Sequence, residues 1–142
     1  MPENKKGEYE FLEHTADIKY RAYGKDLNGA MENAARALFS VMTDLEHASK
    51  KEKFEIELQE NDKEELVVEF LSTLLSEMEV RELVLSDVKI VNLMEFKGKW
   101  LLKATAFGEK KRPRDSVKAV TYHDLLIEEK PGKAMIQIVL DV

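Results

Sequence analysis

The sequence predicts an α+β fold in a single domain spanning residues 1–142, with two amphipathic helices packed on one face of a mostly antiparallel sheet. Apolar residues recur at helical spacing in two segments and alternate with polar residues in most of the others. Two turn signals, Phe96-Lys97-Gly98 and Lys130-Pro131-Gly132-Lys133, separate pairs of strand-like segments. A chain of 142 residues without a long linker is large enough for one core.

The first half of the chain predicts two strands followed by a helix. Strand-like segments run from Tyr9 to Leu12 and from Asp17 to Tyr23, and Asp17 opens the second on its polar side. Gly24-Lys25-Asp26 interrupts this pattern, and Asp26 is suited to cap a helix. The apolar residues of that helix form a continuous stripe: Leu27, Ala30, Met31, Ala34, Ala35, Leu38, Phe39 and Met42. We interpret the stripe as core packing and not as a cofactor site.

A third strand and a second helix follow. Alternating residues from Phe54 to Gln59 predict a half-exposed strand, and Asn61-Asp62 predicts the cap of a helix with glutamates in its first turn. The buried face of this helix is expected to comprise Leu66, Val67, Phe70, Leu71, Leu74, Leu75 and Met78. Its other acids, Glu69, Glu77 and Glu79, fit either an ordinary solvated face or a docking surface.

The second half predicts four strands in two hairpins. The expected strands are Leu83 to Met94, Lys99 to Phe107, Val117 to Glu128 and Ala134 to Val142. The third of these is unusual, because Val117 to Asp124 holds a lysine, a threonine, a tyrosine, a histidine and an aspartate. Alternation places His123 on the otherwise apolar face, so we expect His123 to point toward the core. The simplest interpretation is a buried histidine that hydrogen-bonds to a neighbour.

Composition limits the classes of function. The formal net charge is −6, and the basic cluster Lys110, Lys111, Arg112 and Arg114 lies in a predicted loop that we interpret as solvated. A nucleic-acid binder usually carries a basic face, so if the protein acts in an RNA pathway we expect it to contact a basic protein partner and not the RNA itself. The absence of cysteine excludes disulfides, thiolate zinc sites and cysteine nucleophiles. No apolar run could span a bilayer and no signal peptide is recognisable, so we expect no membrane contact and a cytoplasmic location.

The sequence contains no recognisable catalytic motif. It lacks a Gly-rich phosphate loop, a dinucleotide fingerprint and a nucleophile elbow, and its histidines are scattered, with His47 in a loop. What remains is a set of oxygen donors: Asp17, Asp141 and the terminal carboxylate of Val142. If one sheet edge brought them together, they would suit calcium or magnesium. Aspartates at strand ends are also common without any ion, and that alternative stays open.

Several motifs in order along the chain resemble the archease family, which assists the RtcB-type tRNA-splicing ligase. They are His14-Thr15-Ala16-Asp17, Gly108-Glu109, the run Val117 to Asp124, and the terminal Asp141-Val142. The resemblance covers nearly the whole chain. One segment departs from the family, since Glu109 to Ser116 is shorter and basic where archeases carry a longer loop with a histidine and an acidic residue.

The resemblance implies a divalent metal ion, typically calcium, held by Asp17, Asp141 and Val142. His14 and His123 are candidates for orienting a ligating carboxylate, and Lys118 for offsetting the negative charge. The resemblance further implies a non-catalytic activator that promotes guanylylation and multiple turnover of the ligase and broadens its nucleotide use. Transfer RNA would then be contacted only through the ligase. The alternatives are a stand-alone metal-dependent hydrolase using Asp17 and Asp141, and a holdase or scaffold using the acidic second helix.

Overall fold

Seven strands and two α-helices account for most of residues 2–14 and 16–142, the parts of the chain that the computed structural model describes. In chain order the elements are β1 (Tyr9–Leu12), β2 (Ile18–Gly24), α1 (Leu27–Met42), a 3-10 turn (Leu45–His47), β3 (Glu52–Glu60), α2 (Lys63–Arg81), β4 (Leu83–Phe96), β5 (Lys99–Lys110), β6 (Ala119–Lys130) and β7 (Lys133–Asp141). Every helix and strand predicted from the sequence is present. The bounds differ by a few residues.

The strands form two antiparallel sheets. One has the order β1-β2-β7-β6 and the other the order β3-β5-β4. Each helix contacts strands of both sheets, and one buried cluster includes residues from both sheets and both helices. The α+β fold and the antiparallel pairing are therefore confirmed. The division into two sheets was not predicted, because alternation shows which residues are buried and not which strands pair.

Both helices begin where their caps were predicted. The carboxylate of Asp26 accepts a hydrogen bond from the Gly29 amide at 2.9 Å, and that of Asp62 accepts one from the Glu65 amide at 2.8 Å. These contacts satisfy amides that lack a partner inside the helix. The turn into α1 requires glycine at position 24, because a Cβ there would lie 2.2 Å from the Ala30 nitrogen.

The predicted core faces of the helices are buried. The whole α1 stripe is inaccessible or nearly so, and in α2 only Leu75 of the expected set is half-buried. Tyr20 of β2 is fully buried against α1, where its hydroxyl donates to the Ala34 carbonyl at 2.8 Å. This polar tip remains hydrogen-bonded, and α1 is thereby fixed over the β2-β7 pair.

Strand β6 corrects one prediction. Thr121 pairs with Val139, but the next pair is Leu126 with Gln137, so residues 122–125 lie opposite the single residue Ile138. This large bulge interrupts the alternation from which the orientation of His123 was inferred. The His123 side chain is 65% exposed, and the prediction that it points toward the core is wrong.

Candidate metal centre

The predicted carboxylate ligands lie at one end of the four-stranded sheet. Ile18 of β2 pairs with Leu140 of β7, so continuing this register by one step puts Asp17 beside Asp141. On the other side of β7, Asp141 pairs with Ala119, and the Lys118 amide donates to the Asp141 carbonyl at 2.8 Å. Three strands thus bring together residues from the beginning, the end and the late middle of the chain.

Two other residues of the predicted site, Lys118 and Val142, line separate grooves near the end of β7. The Lys118 side chain lines a groove between α2 and the β5–β6 connection, although its amide is bonded to Asp141. Val142 and Ile18 line a second groove, which residues 2–5 and the end of α1 also line. Thr15, within the His14–Asp17 motif, lies outside the described residues.

His14 and His123 converge on the same end of the sheet. The His14 Nδ1 atom lies 3.7 Å from Asp17 Oδ2, and the two imidazole centroids are 6.2 Å apart. His123 Nε2 lies 3.4 Å from Asp124 Oδ2, and the same oxygen is 3.4 Å from Lys19 Nζ. Both histidines named from the sequence are therefore close to the predicted site. Sequence reasoning missed Lys19, and it gave no role to Asp124 although that residue ends the β6 run.

Asp17 and Asp141 offer the oxygen donors that a hard divalent ion prefers. Among residues 2–14 and 16–142, two groups bring three His, Asp or Glu ligand atoms within 4.8 Å of one another, His14-His123-Asp124 and Asp44-Glu46-His47. Neither group contains Asp17 or Asp141.

The four basic residues at the end of β5 and in the following loop are exposed, as interpreted, but two of them also bind helix ends. Lys110 Nζ donates to the Arg81 carbonyl at 3.0 Å, at the C-terminus of α2. The Arg114 guanidinium donates to the Ser40 carbonyl at 2.8 Å and its amide to the Met42 carbonyl at 2.7 Å, at the C-terminus of α1. Carbonyls at helix ends lack intrahelical partners and carry partial negative charge. Two of the four basic side chains therefore serve the helix ends.

The Gly108-Glu109 pair also has a local structural role. A Cβ at position 108 would lie 2.2 Å from the Val84 carbonyl oxygen of the neighbouring strand, so only glycine fits. The Glu109 carboxylate accepts a hydrogen bond from the Ser49 amide at 2.6 Å. The pair thus joins β5 to β4 and to the segment before β3.

An acidic surface lies between β6 and the start of α2. Partial burial, and then the carboxylates of Glu69, Glu65, Asp62 and Glu60, raise the pKa of the Tyr122 phenol, which is half exposed. Burial, followed by the negative charges of its neighbours, likewise raises the pKa of Glu60. These residues form a concentrated negative patch. Within the described part of the chain, no helix is both long and apolar enough to cross a membrane.

Comparison with known proteins identifies a family. The model of the Archease protein family (MTH1598/TM1083) matches residues 9–142. A curated archease from Methanosarcina mazei is 41% identical over 147 residues, with 100% of both chains covered. An archease from Pyrococcus furiosus is 40% identical over 141 residues and covers 95% of this chain and 99% of its own.

Solved structures agree with this assignment. The solution structure of Methanobacterium thermoautotrophicum protein 1598 has a TM-score of 0.82 and 34% identity, covering 97% of this chain and 100% of its own. The crystal structure of an archease, possible chaperone, from Thermotoga maritima has a TM-score of 0.61 at 19% identity, covering 92% and 94%, which establishes similarity of fold only. The match to the family model and the full-length identity of about 40% together show that the chain belongs to the archease family.

Proposed function

We propose that the chain is a non-catalytic, metal-binding accessory protein that activates an RtcB-type tRNA-splicing RNA ligase. In this proposal it promotes guanylylation of the active-site histidine of the ligase, allows multiple turnover and broadens the nucleotides that the ligase accepts. Transfer RNA is bound by the ligase, and the accessory protein contacts RNA only through it.

The observation that carries the proposal is the register of β2 and β7, which puts Asp17 beside Asp141. Continued by one step, this register sets Asp17 opposite Asp141, and two carboxylates on neighbouring strand ends are a suitable place for a cation. In the proposal, a divalent ion held by Asp17, Asp141 and the carboxylate of Val142 occupies that place. Calcium takes about six to eight oxygen ligands, so three protein ligands leave coordination positions open to water or to a partner.

Contacts within the chain hold the proposed ligands in position. The Lys118 amide fixes the backbone of Asp141, and Ile18, which follows Asp17, is paired with Leu140. His14 lies near Asp17 and is suited to orient it. The ion supplies positive charge at a fixed position, either delivered to the ligase or used to reorganise its pocket electrostatically.

The acidic patch supports a protein partner. Glu60, Asp62, Glu65 and Glu69 concentrate negative charge beside the exposed Tyr122 ring, and the whole chain carries a formal net charge of −6. Such a surface attracts a basic protein and repels RNA phosphates. The proposal requires a basic surface on the ligase that this patch would complement.

The test is ligation of tRNA halves by the cognate ligase at substrate excess. The unaltered protein should raise turnover of the ligase and should have no ligating or nucleotide-hydrolysing activity alone. The isosteric variant Asp17→Asn should fail to stimulate, whereas Asp115→Asn, at an exposed carboxylate with one 3.7 Å contact to Arg114, should stimulate normally. Hydrolysis by the protein alone, or unchanged turnover in its presence, contradicts the proposal.

A holdase is the second candidate, favoured by an exposed apolar group on the β4–β5 hairpin. Val91, Met94 and Phe96 are 54%, 42% and 55% exposed. Exposed apolar side chains near one another are typical of binding surfaces for other chains. If this activity exists, the protein suppresses aggregation of a heat-unfolded client and Phe96→Ser reduces the suppression. If neither the unaltered protein nor the Phe96→Ser variant suppresses aggregation, this candidate is rejected.

A further inference from the structure

We propose that the chain has a second metal site, formed by His14, His123 and Asp124, that takes a borderline transition-metal ion of the zinc class. Each of the three side chains offers one ligand atom, and these atoms lie within 4.8 Å of one another. The site differs from the Asp17–Asp141 pair in its donor atoms, because two of its three ligands are imidazole nitrogens. The proposal does not depend on the activation of a ligase.

The three ligands come from separate parts of the fold. His14 belongs to the connection between β1 and β2, whereas His123 and Asp124 lie in the β6 bulge on the other side of β7. The histidine rings meet edge to face at 76° with centroids 6.2 Å apart. Only the folded sheet brings the two imidazoles together, so a bound ion would link segments distant in sequence.

Hydrogen bonds from β2, β7 and the bulge itself hold the backbone that carries His123 and Asp124. The Asp124 carbonyl accepts a hydrogen bond from Gln137 Nε2 at 2.8 Å, and the Gln137 oxygen accepts one from Arg21 Nε at 2.9 Å. Asp124 itself has φ 52°, a left-handed conformation that an aspartate tolerates better than most residues. The His123 amide donates to Thr121 Oγ1 at 3.3 Å. The two side chains are thus held on an anchored backbone and not on a free loop.

One nitrogen of the His14 ring lacks a partner. The Nδ1 atom of His14 is excluded from solvent and has no hydrogen bond to any residue in 2–14 or 16–142. Its approach to Asp17 Oδ2, at 3.7 Å, is too long for a hydrogen bond. A buried nitrogen without a partner is unfavourable and usually indicates a missing water, ion or ligand. A metal ion, or a water bound to one, would supply that partner.

The donor set indicates the class of ion. Two imidazoles and one carboxylate suit Zn²⁺ and similar divalent ions, whereas calcium and magnesium prefer oxygen alone. Three protein ligands leave a fourth position for water or a group from a bound partner. Lys19 Nζ and His123 Nε2 each lie 3.4 Å from Asp124 Oδ2, so the lysine ammonium would compete with an ion for the carboxylate.

The second cluster of the same residue types provides a matched control. Asp44, Glu46 and His47 lie together on one short turn and are all exposed. The Asp44 carboxylate is already engaged, since it accepts the Glu46 amide at 3.1 Å and lies 2.8 Å from His47 Nδ1. This contact raises the pKa of His47 and lowers the pKa of Asp44. The Asp44 side chain caps this turn. A variant of His47 therefore tests whether an exposed histidine outside the proposed site contributes to metal binding.

The test is titration of the full chain with Co²⁺, which reports a nitrogen- and oxygen-ligated site by its visible absorption, with Zn²⁺ as competitor. One equivalent should produce the absorption band, and one equivalent of Zn²⁺ should abolish it. His14→Gln and His123→Gln should each weaken Co²⁺ binding at least about tenfold. His47→Gln should bind as the unaltered protein does. Lys19→Met removes the competing ammonium at similar side-chain volume and should tighten binding.

The outcomes separate this site from the one proposed for calcium. Excess Ca²⁺ should leave the Co²⁺ absorption unchanged, and Asp17→Asn should retain it. The inference is overturned if no absorption band forms at millimolar Co²⁺ or if His47→Gln removes the band. It is also overturned if Asp17→Asn removes the band, because the protein would then have one metal site and not two. Thermal unfolding without metal verifies that each variant is folded. Stimulation of a ligase without Co²⁺ binding would leave the proposed function intact and reject this site.

Discussion

At the scale of single residues, the same side-chain type has different roles according to its contacts. His47 is a surface residue on a turn, whereas His14 has a solvent-excluded nitrogen next to another imidazole. Lys110 caps a helix, while Lys19 pairs with Asp124 in the proposed transition-metal site. Position in the fold decides the chemistry available to each of them.

Asp17 provides the most direct test at this scale. We expect Asp17→Ala to abolish calcium binding and stimulation of the ligase, because it removes one of two neighbouring carboxylates. The free energy of unfolding should change by under about 0.5 kcal/mol, since the side chain is partly exposed and lies 3.7 Å from the His14 ring nitrogen, too far for a hydrogen bond. Calorimetric titration with calcium and urea unfolding in a chelator measure the two effects. Undiminished calcium binding would reject Asp17 as a ligand.

At the scale of elements, polar contacts determine how the helices sit on the sheets. Asp87 of β4 accepts a hydrogen bond from Arg36 of α1 at 2.8 Å and one from Lys50 at 2.9 Å. Burial opposes ionisation of Asp87, but the contacts with Lys50 and Arg36 outweigh it and lower its pKa. This group ties α1 to the three-stranded sheet.

We expect Asp87→Asn to lower the free energy of unfolding by about 1 kcal/mol at pH 7, because it removes charge-assisted hydrogen bonds at a half-buried position, where solvent screens part of the interaction. The folded-state pKa lies below that of the unfolded chain, so the ionised carboxylate stabilises the fold above about pH 4. That stabilisation is lost as the pH falls through the folded-state pKa. Urea unfolding of both proteins from pH 7 to pH 3 should therefore show a difference that shrinks in acid.

The matched control is Asp115→Asn. Asp115 is 69% exposed, and Arg114 lies 3.7 Å away. An exposed pair of this kind contributes little to stability. If Asp115→Asn lowered the free energy of unfolding as much as Asp87→Asn does, with the same dependence on pH, the partial burial of Asp87 could not explain its larger contribution.

The end of β7 is a second element that can be tested. Val142 follows a strand whose residues from Ala134 to Leu140 are all buried, so its position is well fixed. Extending the chain beyond Val142 replaces the carboxylate by a neutral amide and adds bulk beside Asp141. We expect a C-terminally tagged protein to fold normally but to bind calcium weakly and stimulate the ligase poorly. An N-terminal tag should have neither effect, and equal calcium affinity in all three proteins would remove Val142 from the site.

At the scale of the whole molecule, negative charge predominates and is unevenly distributed. The formal net charge is −6, acids concentrate beside Tyr122, and two of the basic side chains between β5 and β6 are engaged with helix carbonyls. All four basic residues of that segment are exposed, but only Lys111 and Arg112 make no side-chain contact with a helix end.

We therefore expect the isolated protein to show no appreciable binding of tRNA at physiological salt, because neutralisation of phosphates supplies most nucleic-acid affinity. Electrophoretic mobility of labelled tRNA with increasing protein measures this. Charge reversal at Lys111 and Arg112 should leave the result unchanged. A clear shift by the protein alone, weakened by that reversal, would show that the partner is RNA.

Elements and caps were predictable from the sequence because the signals are local. The period of apolar residues identifies strands and helices, and Asp26 and Asp62 identify helix starts within three residues of the amides that they bind. The family motifs likewise pointed to Asp17 and Asp141, whose neighbours Ile18 and Leu140 are paired, and their role as ligands stays a prediction. Calcium binding and the action on the ligase stay predictions.

Long-range features were decided by the tertiary structure alone. Strand pairing, the bulge at residues 122–125 and the exposure of His123 depend on which segments meet across β7, and a period of two carries no information about that choice. The same holds for the capping by Lys110 and Arg114 and for the approach of His14 to His123. The sequence by itself determined the elements, their caps and the two carboxylates. Packing decided their neighbours, because contacts between distant segments form only when the whole core is assembled.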